Sequence, residues 1–554
     1  MAMQSGQPVI VLKEGSTETK GREALRNNLQ AAKLIAELVK TSLGPRGMDK
    51  MLVDSLGDVT ITNDGATMLK QLDIQHPAAK MMVEISKATD SEVGDGTTSA
   101  VILAGSLLEK AEELLDKNVH PTLIVDGYMS ASEKALEILN QISTKVDATD
   151  RVWLSKVAST SLLSKIVSQE AKQLADIVVS AVLQVADRVG DGYRVDVDNV
   201  KVEKKPGRSL SETDLIKGIV VDKEVVHAGM PKKVQNAKIA LLNAPLEIEK
   251  TEISAEIRIN DPTQMKAFLD EESRMLKSMV EKIQNAGANV VFCQKGIDDI
   301  AQHYLAKAGI LAVRRVKESD MSRLARSTGG RVVTNLDDLT SSDLGQAELV
   351  EERKIEEDKW VYVEGCKNPK AVTILIRGGS QRIVDEAERA VHDAIMVVKD
   401  VMEKPSIVPG GGAAESEIAQ RIRDWAKTLS GREQLAALAF ADAVESIPLT
   451  LAVNAGMDPI DTQVELKAEH AKGRTSYGVN VAAGKVGDMA QVEVFEPTSV
   501  KSQIIKSATE AAVMILRIDD VIAAKGTGKE EGKGPKGGEG EEGAGTPGGM
   551  GGEY

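Results

Sequence analysis

Aromatic side chains are nearly missing from this sequence: four Phe, six Tyr and three Trp among 554 residues. Proteins that hold single-stranded nucleic acid usually stack its bases on aromatic platforms, so that class is disfavoured at once. Cysteine is scarcer still. Cys293 and Cys366 cannot make a disulfide framework, and so small a complement fits a reducing cytosol. No basic surplus exists either. Lys and Arg number 69 against 84 Asp and Glu, and the net charge of -15 repels polyphosphate and anionic lipid in bulk. Any phosphate bound here must be held by a local device. Long apolar runs are lacking: windows such as Ile177 to Ala186 fall short of the roughly 18 residues a membrane helix needs. The N-terminus shows no basic, apolar and small-residue succession of a secretory signal. A cytoplasmic protein with no membrane and no nucleic-acid partner is expected.

Several catalytic signatures are absent too. No G-x-x-x-x-G-K-[ST] loop occurs, since Lys529 in Gly526-Thr-Gly-Lys529 lacks the pattern, and there is no Gly-x-Ser-x-Gly elbow. The six histidines and two cysteines have no zinc-ligand spacing.

What is present is ordinary in bulk, with 42% apolar and 28% charged residues. The length calls for about three or four domains. Helical periodicity runs from about Arg22 to Val39 and stops at Gly44-Pro45. Val59 to Thr62 alternates as a strand and meets Asn63-Asp-Gly65, a tight-turn signal. Helical patterns then dominate to about 140 and from 150 to 189. Val195 to Leu242 is strand-rich. Next comes an amphipathic segment with Asp261 as N-cap, Pro262 at the first helical position and Gln264 behind it. Met265, Phe268, Leu269, Leu276, Met279, Val280 and Ile283 mark its apolar face. Residues 289–314 read as strand, helix, strand, the unit of a parallel sheet. Ala371 to Ile376 is a buried strand before a long helix, about Gln381 to Met402. Residues 413–523 return to the Ala- and Leu-rich helical composition of the first third. Lys525 to Tyr554, with 13 of the chain's 47 Gly, reads as a disordered tail.

Gly94-Asp-Gly-Thr-Thr-Ser99 opens an apolar helix. Such a loop can cradle an anion on free N–H groups and the hydroxyls of Thr97, Thr98 and Ser99, with Asp95 holding Mg²⁺ on the phosphates. The plainer alternative is a capped helix after a glycine turn. Leu43-Gly-Pro-Arg-Gly47 and Asn63-Asp-Gly65 are likewise ordinary turns when taken singly. Asp393 falls off the stripe Val384, Ala387, Val391, Ala394, Val398 of its helix, which reads as a solvated carboxylate. Gly410-Gly-Gly412 is a loop with no bulk, useful against a flat sugar or base and equally a simple linker.

Together these pieces are far more specific. Leu43-Gly-Pro-Arg-Gly-Met-Asp-Lys-Met-Leu52, Thr62-Asn-Asp-Gly-Ala-Thr67, Gly94-Asp-Gly-Thr-Thr-Ser99, Val391-His-Asp-Ala394 and Gly410-Gly-Gly-Ala-Ala-Glu415 occur in the order and spacing of the group II chaperonins. From about residue 10 to 525 the sequence closely resembles a subunit of the archaeal-type thermosome, down to His227-Ala-Gly-Met-Pro231, Asn243-Ala-Pro-Leu246 and Ser507-Ala-Thr-Glu-Ala-Ala512.

The resemblance implies a multidomain fold. A mostly α-helical equatorial ATPase domain (1–149 and 405–524) would carry a mixed α/β intermediate domain (150–218 and 370–404). An α/β apical domain (219–369) would bear a helical protrusion, about 246–283, that acts as a lid. It implies ATP and Mg²⁺ as cofactors, unfolded proteins as clients, and a double ring of identical or paralogous subunits. Asp64 and Asp393 would activate the attacking water and Asp95 would ligate Mg²⁺. Leu43, Gly44, Pro45, Gly65 and Gly96 to Ser99 (with Thr97 and Thr98) would surround the phosphates, while Gly411, Gly412, Asn480 and Glu496 would hold the nucleoside. Lys165 matches the lysine of a nucleotide-sensing loop, although Thr160-Ser-Leu-Leu-Ser-Lys165 lacks that loop's glycines. The rival readings are a ring scaffold subunit with weak ATPase and a metabolic nucleotide-dependent enzyme.

Overall fold

The computed structural model describes residues 17–54, 56–248, 262–367 and 369–523. The N-cap expected at Asp261 and the expected disordered tail lie outside them. The described residues fall into two compact units, 17–25 with 518–523, and 26–517. In the first, Thr17–Lys20 pairs antiparallel with Asp520–Ala523, Thr17 opposite Ala523.

The larger unit begins with helices from both ends of the sequence. Thr97–Asp116 opens with a run of small and aliphatic residues, Ala100 to Ala104 all buried, so its first half packs on every side and becomes the axis of a helical body. Pro77–Val93 and Pro121–Ile142 flank it from the N-terminal part, Gly431–Val444 and Thr498–Leu516 from the C-terminal part. With so few rings available, aromatic packing here reduces to Tyr128 against Phe440, edge to face at 5.9 Å, the Tyr128 hydroxyl donating to the Leu107 carbonyl. Gly431–Asn454 is long and apolar enough to cross a membrane, contrary to the expectation that no stretch reaches that length, but 67% of its most apolar window is buried in the fold. It is in fact two helices, Gly431–Val444 and Ser446–Asn454, and Glu445 between them is buried on the Arg423 guanidinium at 2.5 Å.

A second core gathers the helices Arg151–Leu163, Ala171–Val185 and Gln381–Glu403 against a three-stranded sheet. There Val372–Gly378 runs parallel to Val200–Pro206, Val372 opposite Val200, and antiparallel to Asp214–Ile216.

A third core belongs to a seven-stranded mixed sheet. Its long strand Lys233–Leu242 pairs in parallel with Val290–Cys293, which pairs in parallel with Leu311–Val313 through the crossover helix Asp299–Lys307. On its other edge lie the antiparallel strands Gly345–Ile355, Asp358–Glu364 and Gly218–Val221. Strands buried on both faces show no alternation, which is why Val290–Cys293 is apolar throughout. The helix Pro262–Ala286 divides its apolar face: Leu276, Val280 and Ile283 are buried in this core, whereas Met265, Phe268 and Leu269 are exposed.

Candidate functional site

The site is assembled from chain turns. The tight turn at Asn63-Asp-Gly65 leads from strand into helix: Asp64 caps the helix Gly65–Gln71, its Oδ2 accepting from the Thr67 amide at 2.7 Å. Its other oxygen accepts from the Thr97 hydroxyl at 3.0 Å. The next loop ends one helix and starts another. Gly94 is the left-handed C-cap of Pro77–Val93, and Gly96 is the N-cap of Thr97–Asp116 at φ 76. A Cβ on Gly96 would lie 2.7 Å from Ile504 Cδ1, so both its conformation and the close approach of Thr498–Leu516 require glycine. Between them Asp95 Oδ1 accepts from the Gly96 amide at 2.7 Å, and Oδ2 from the Ser161 hydroxyl at 2.6 Å.

Two hollows meet at this loop. The smaller, about 80 Å³, is lined by Leu43, Gly44, Asp64, Asp95, Gly96 to Ser99, Lys165 and Asp393. The larger, about 810 Å³, shares Leu43, Gly44, Asp95, Gly96 and Ser99 and adds Pro45, Gly411, Gly412, Asn480 and Glu496. Its lining also includes the apolar side chains Ile447, Leu451, Val481 and Met489. Of the residues singled out in the sequence only Gly65 lines neither hollow, being packed instead with Thr98 Oγ1 2.8 Å from where its Cβ would be.

Asp393 is not the solvated carboxylate its helix stripe suggests. It is 7% exposed and ion-paired to Lys165 at 2.5 Å. The stripe reports only the helix's own core face, whereas Arg151–Leu163 packs on another side and the turn after it brings Lys165 alongside. Lacking glycines, that segment stays helical to Leu163, and Lys165 also donates to Ser161 Oγ at 3.3 Å. Burial pulls the Lys165 ammonium down, but Asp393, Asp95 and Asp64 outweigh it and hold the ammonium above its usual range. Burial pushes the Asp393 carboxyl well up, Lys165 opposes, and Asp64 and Asp95 push it further. Both shifts follow from one count, three carboxylates to one ammonium, which secures the cation and leaves a carboxylate short of a partner.

At the other end Glu496 meets a residue the sequence did not single out. Lys501 Nζ lies 2.6 Å from Glu496 Oε2 and 2.7 Å from Glu415 Oε1. A lysine on the face of Val500, Ile504, Ile505 and Ala508, all buried, was the available signal. Ser161, holding Asp95, was equally missed and carries no sequence signal of its own.

Residues 35–526 match the model of the TCP-1/cpn60 chaperonin family. The chain belongs to that family. Among its chaperonin relatives, the thermosome subunit alpha of Archaeoglobus fulgidus is 59% identical over 97% of this chain and 99% of its own length. The thermosome subunit beta of Thermococcus kodakarensis is 59% identical over 97% and 98%. The subunit beta of Archaeoglobus fulgidus is 58% identical over 97% and 99%. This chaperonin chain is thus about equally similar to two paralogous subunits of one organism.

Proposed function

We propose that this chain is an ATP-hydrolysing subunit of a cytoplasmic double-ring chaperonin, which binds unfolded proteins and encloses them beneath a built-in lid. One observation carries the reading. Asp64 and Asp95, from the first hundred residues, converge with Lys165 and Asp393, from the segment between the helical parts, on a small hollow beside a cavity of nucleotide size.

In this reading the cavity takes ATP with its phosphates toward Gly44, Pro45 and Gly96 to Ser99 and its base toward the apolar lining at Met489. Glu496 then accepts from the ribose hydroxyls, with Gly411, Gly412 and Asn480 around the nucleoside. Asp64 and Asp393 orient the water whose oxygen attacks the γ-phosphorus as the bond to the β–γ bridging oxygen breaks. The water's proton passes to Asp393. Lys165 divides its charge between Asp393 and the incoming γ-phosphate, so the pair registers the state of the nucleotide.

The residues fit a divalent cation. Among the described residues no three His, Cys, Asp or Glu side chains converge tightly enough to hold a metal alone. Mg²⁺ typically uses one or two carboxylates with substrate phosphates and water. Asp95 would take that role, each oxygen accepting one hydrogen bond and keeping a lone pair, and the local excess of carboxylate is of the right sign. When bound, Mg²⁺ would offset phosphate charge and polarise the phosphoryl oxygens.

The proposed domains are equatorial, 1–149 and 405–524, intermediate, 150–218 and 370–404, and apical, 219–369. The separate cores around Val391 and Phe292 support that division. Exposed Met265, Phe268 and Leu269 on the Pro262–Ala286 helix support a protrusion that meets clients or neighbouring protrusions. Similarity to alpha and beta subunits alike supports rings that admit paralogous copies.

Sizing of the purified protein tests this, together with protection of an unfolded client. A particle of roughly a megadalton that shields client from protease only with Mg²⁺ and ATP is expected. A monomer or small oligomer whose ATP turnover needs a small acceptor would establish the metabolic-enzyme reading. Full rings without turnover would establish the scaffold.

A further inference from the structure

Beneath the larger cavity lies a buried charge cluster that phosphate chemistry does not use. Phe495–Pro497 pairs with Ser406–Pro409, Glu496 opposite Val408, and the helix Thr498–Leu516 starts at once, which brings Lys501 back under the strand. Glu415 comes from the first turn of Ala413–Ala426. Lys501 and Glu415 are 5% and 4% exposed, and Lys501 and Glu496 both line the cavity.

As a stabilising device the cluster is poor. One ammonium serves two carboxylates, and Glu415 Oε2 is buried without a partner among the described residues. A buried ion pair is often matched in stability by apolar residues of similar volume, and an unpartnered buried oxygen adds a desolvation cost. Such a cluster calls for a functional account.

Its geometry supplies one. Lys501 occupies Glu496 Oε2, whereas Oε1 takes no hydrogen bond from the described residues. Oε1 sits against the Gly410 backbone, 2.7 Å from where a Cβ would be, so the carboxylate is fixed on one side by the ammonium and on the other by a glycine that leaves it room. Its level in the cavity is also defined. Glu496 is close enough to feel Asp95 at the phosphate end, and Met489 stands against Gly411 on the nucleoside side of the cavity. Between phosphates and base lies the sugar. A carboxylate is acceptor-only, which suits hydroxyl donors. Burial pushes the Glu496 carboxyl up and Lys501 draws it back, while burial pulls the Lys501 ammonium down and Glu415 and Glu496 hold it up.

We infer that Lys501, anchored by Glu415, is a positioning residue that aims the Glu496 carboxylate at the ribose hydroxyls and thereby sets a preference for ribonucleotide over deoxyribonucleotide. This rests on the proposed contact between Glu496 and ribose.

The test is equilibrium binding of ATP, 2′-deoxy-ATP and 3′-deoxy-ATP, with Mg²⁺, to assembled rings of wild type, Glu496→Ala, Lys501→Met, Lys501→Arg and the double variant Glu415→Gln/Lys501→Met. Lys501→Met alone leaves the buried Glu415 and the half-buried Glu496 without a cation and risks misfolding; the double variant removes the buried charge and leaves only Glu496, which reaches the cavity. A charge-assisted hydrogen bond contributes about 1.5–3 kcal/mol, roughly ten- to hundredfold in affinity. The double variant should lose about that factor for ATP and little for the deoxynucleotides, collapsing the ratio as Glu496→Ala does, and Lys501→Arg should restore part of it. Equal weakening of all three nucleotides, or an intact ratio, in the double variant while Glu496→Ala collapses it would overturn the role of Lys501 alone. An intact ratio in Glu496→Ala would overturn the ribose contact and this inference with it.

Discussion

Asp393→Asn separates chemistry from stability at this site. The substitution keeps the shape of the side chain and removes its charge and its ability to take a proton. Losing a positioned general base slows a reaction by about 10²–10⁴, roughly 3–5 kcal/mol of barrier. Phosphate release should fall at least a hundredfold with KM little changed, because binding contacts lie elsewhere. For stability the usual rule points the other way from the expectation here. Removing one partner of a buried ion pair costs about 3–5 kcal/mol when the other charge is left alone, but Lys165 keeps Asp95 and Asp64 as neighbours. Burial and those same two carboxylates already push Asp393 up. An acid whose folded pKa is raised subtracts stability once pH exceeds its unfolded pKa, so neutralising it at pH 7 removes a penalty. The thermal midpoint without nucleotide, in EDTA, should hold or rise. Calorimetric melting and steady-state phosphate release on the same rings decide it. Turnover within threefold of wild type would refute the base role, and a midpoint lowered by several degrees would show that Lys165 depends on Asp393 alone.

Asp400 gives a pH prediction away from that site. Burial pushes its carboxyl up to about 7, with the Ser499 hydroxyl opposing at 3.0 Å. Because the folded form binds the proton more tightly, stability attributable to Asp400 falls as pH rises from about 4 to 7 and stays low above. Asp400→Asn should therefore stabilise by about 1–3 kcal/mol at pH 8 and little at pH 4; identical urea midpoints for the two proteins at both pH values would contradict this. Gly96→Ala combines a left-handed φ of 76 with a 2.7 Å clash on Ile504, whereas Gly473→Ala has φ 81 and open space. The left-handed conformation alone costs about 1–2 kcal/mol, so Gly96→Ala should destabilise more than Gly473→Ala and alone weaken ATP binding. Equal melting losses and equal nucleotide affinities would remove the steric argument.

How much was legible depends on where each constraint resides. Gly94, Asp95 and Gly96 announce themselves because a left-handed cap and a helix start are local and demand particular residues. The turn at Asn63-Asp-Gly65 is local, but that Asp64 caps a helix there follows only from the residues after it. The burial of Asp393 is not legible because helical periodicity describes one face, and the burying partner comes from a turn 228 positions away. Lys501 was legible in principle, as a charge on a buried stripe, but its partners Glu415 and Glu496 lie on a helix and a strand whose meeting depends on the pairing of Phe495–Pro497 with Ser406–Pro409. Likewise the strand, helix, strand reading of 289–314 was local, whereas the central place of Lys233–Leu242 in a seven-stranded sheet arises from nonlocal pairing.

The acidity of the chain bears on the same chemistry. A carboxylate brought alone to a triphosphate is repelled by it, yet proton transfer from the attacking water needs a carboxylate there. In the proposed reaction Lys165 would resolve this conflict: paired at 2.5 Å, Lys165 and Asp393 would meet the phosphate as a unit of no net charge. Both belong to the segment inserted between the helical parts, while Asp64 and Asp95 belong to the first of those parts. If the pair carries the base to the phosphate, Lys165→Gln should do more than weaken nucleotide contact. It should leave Asp393 without a cation among like charges, so hydrolysis falls and the loss deepens at low salt, where repulsion is least screened. Phosphate release from saturated rings at two ionic strengths reads this directly. A deficit that is the same at both would mean that Lys165 acts on the nucleotide alone and that Asp393 reaches the phosphate without its help.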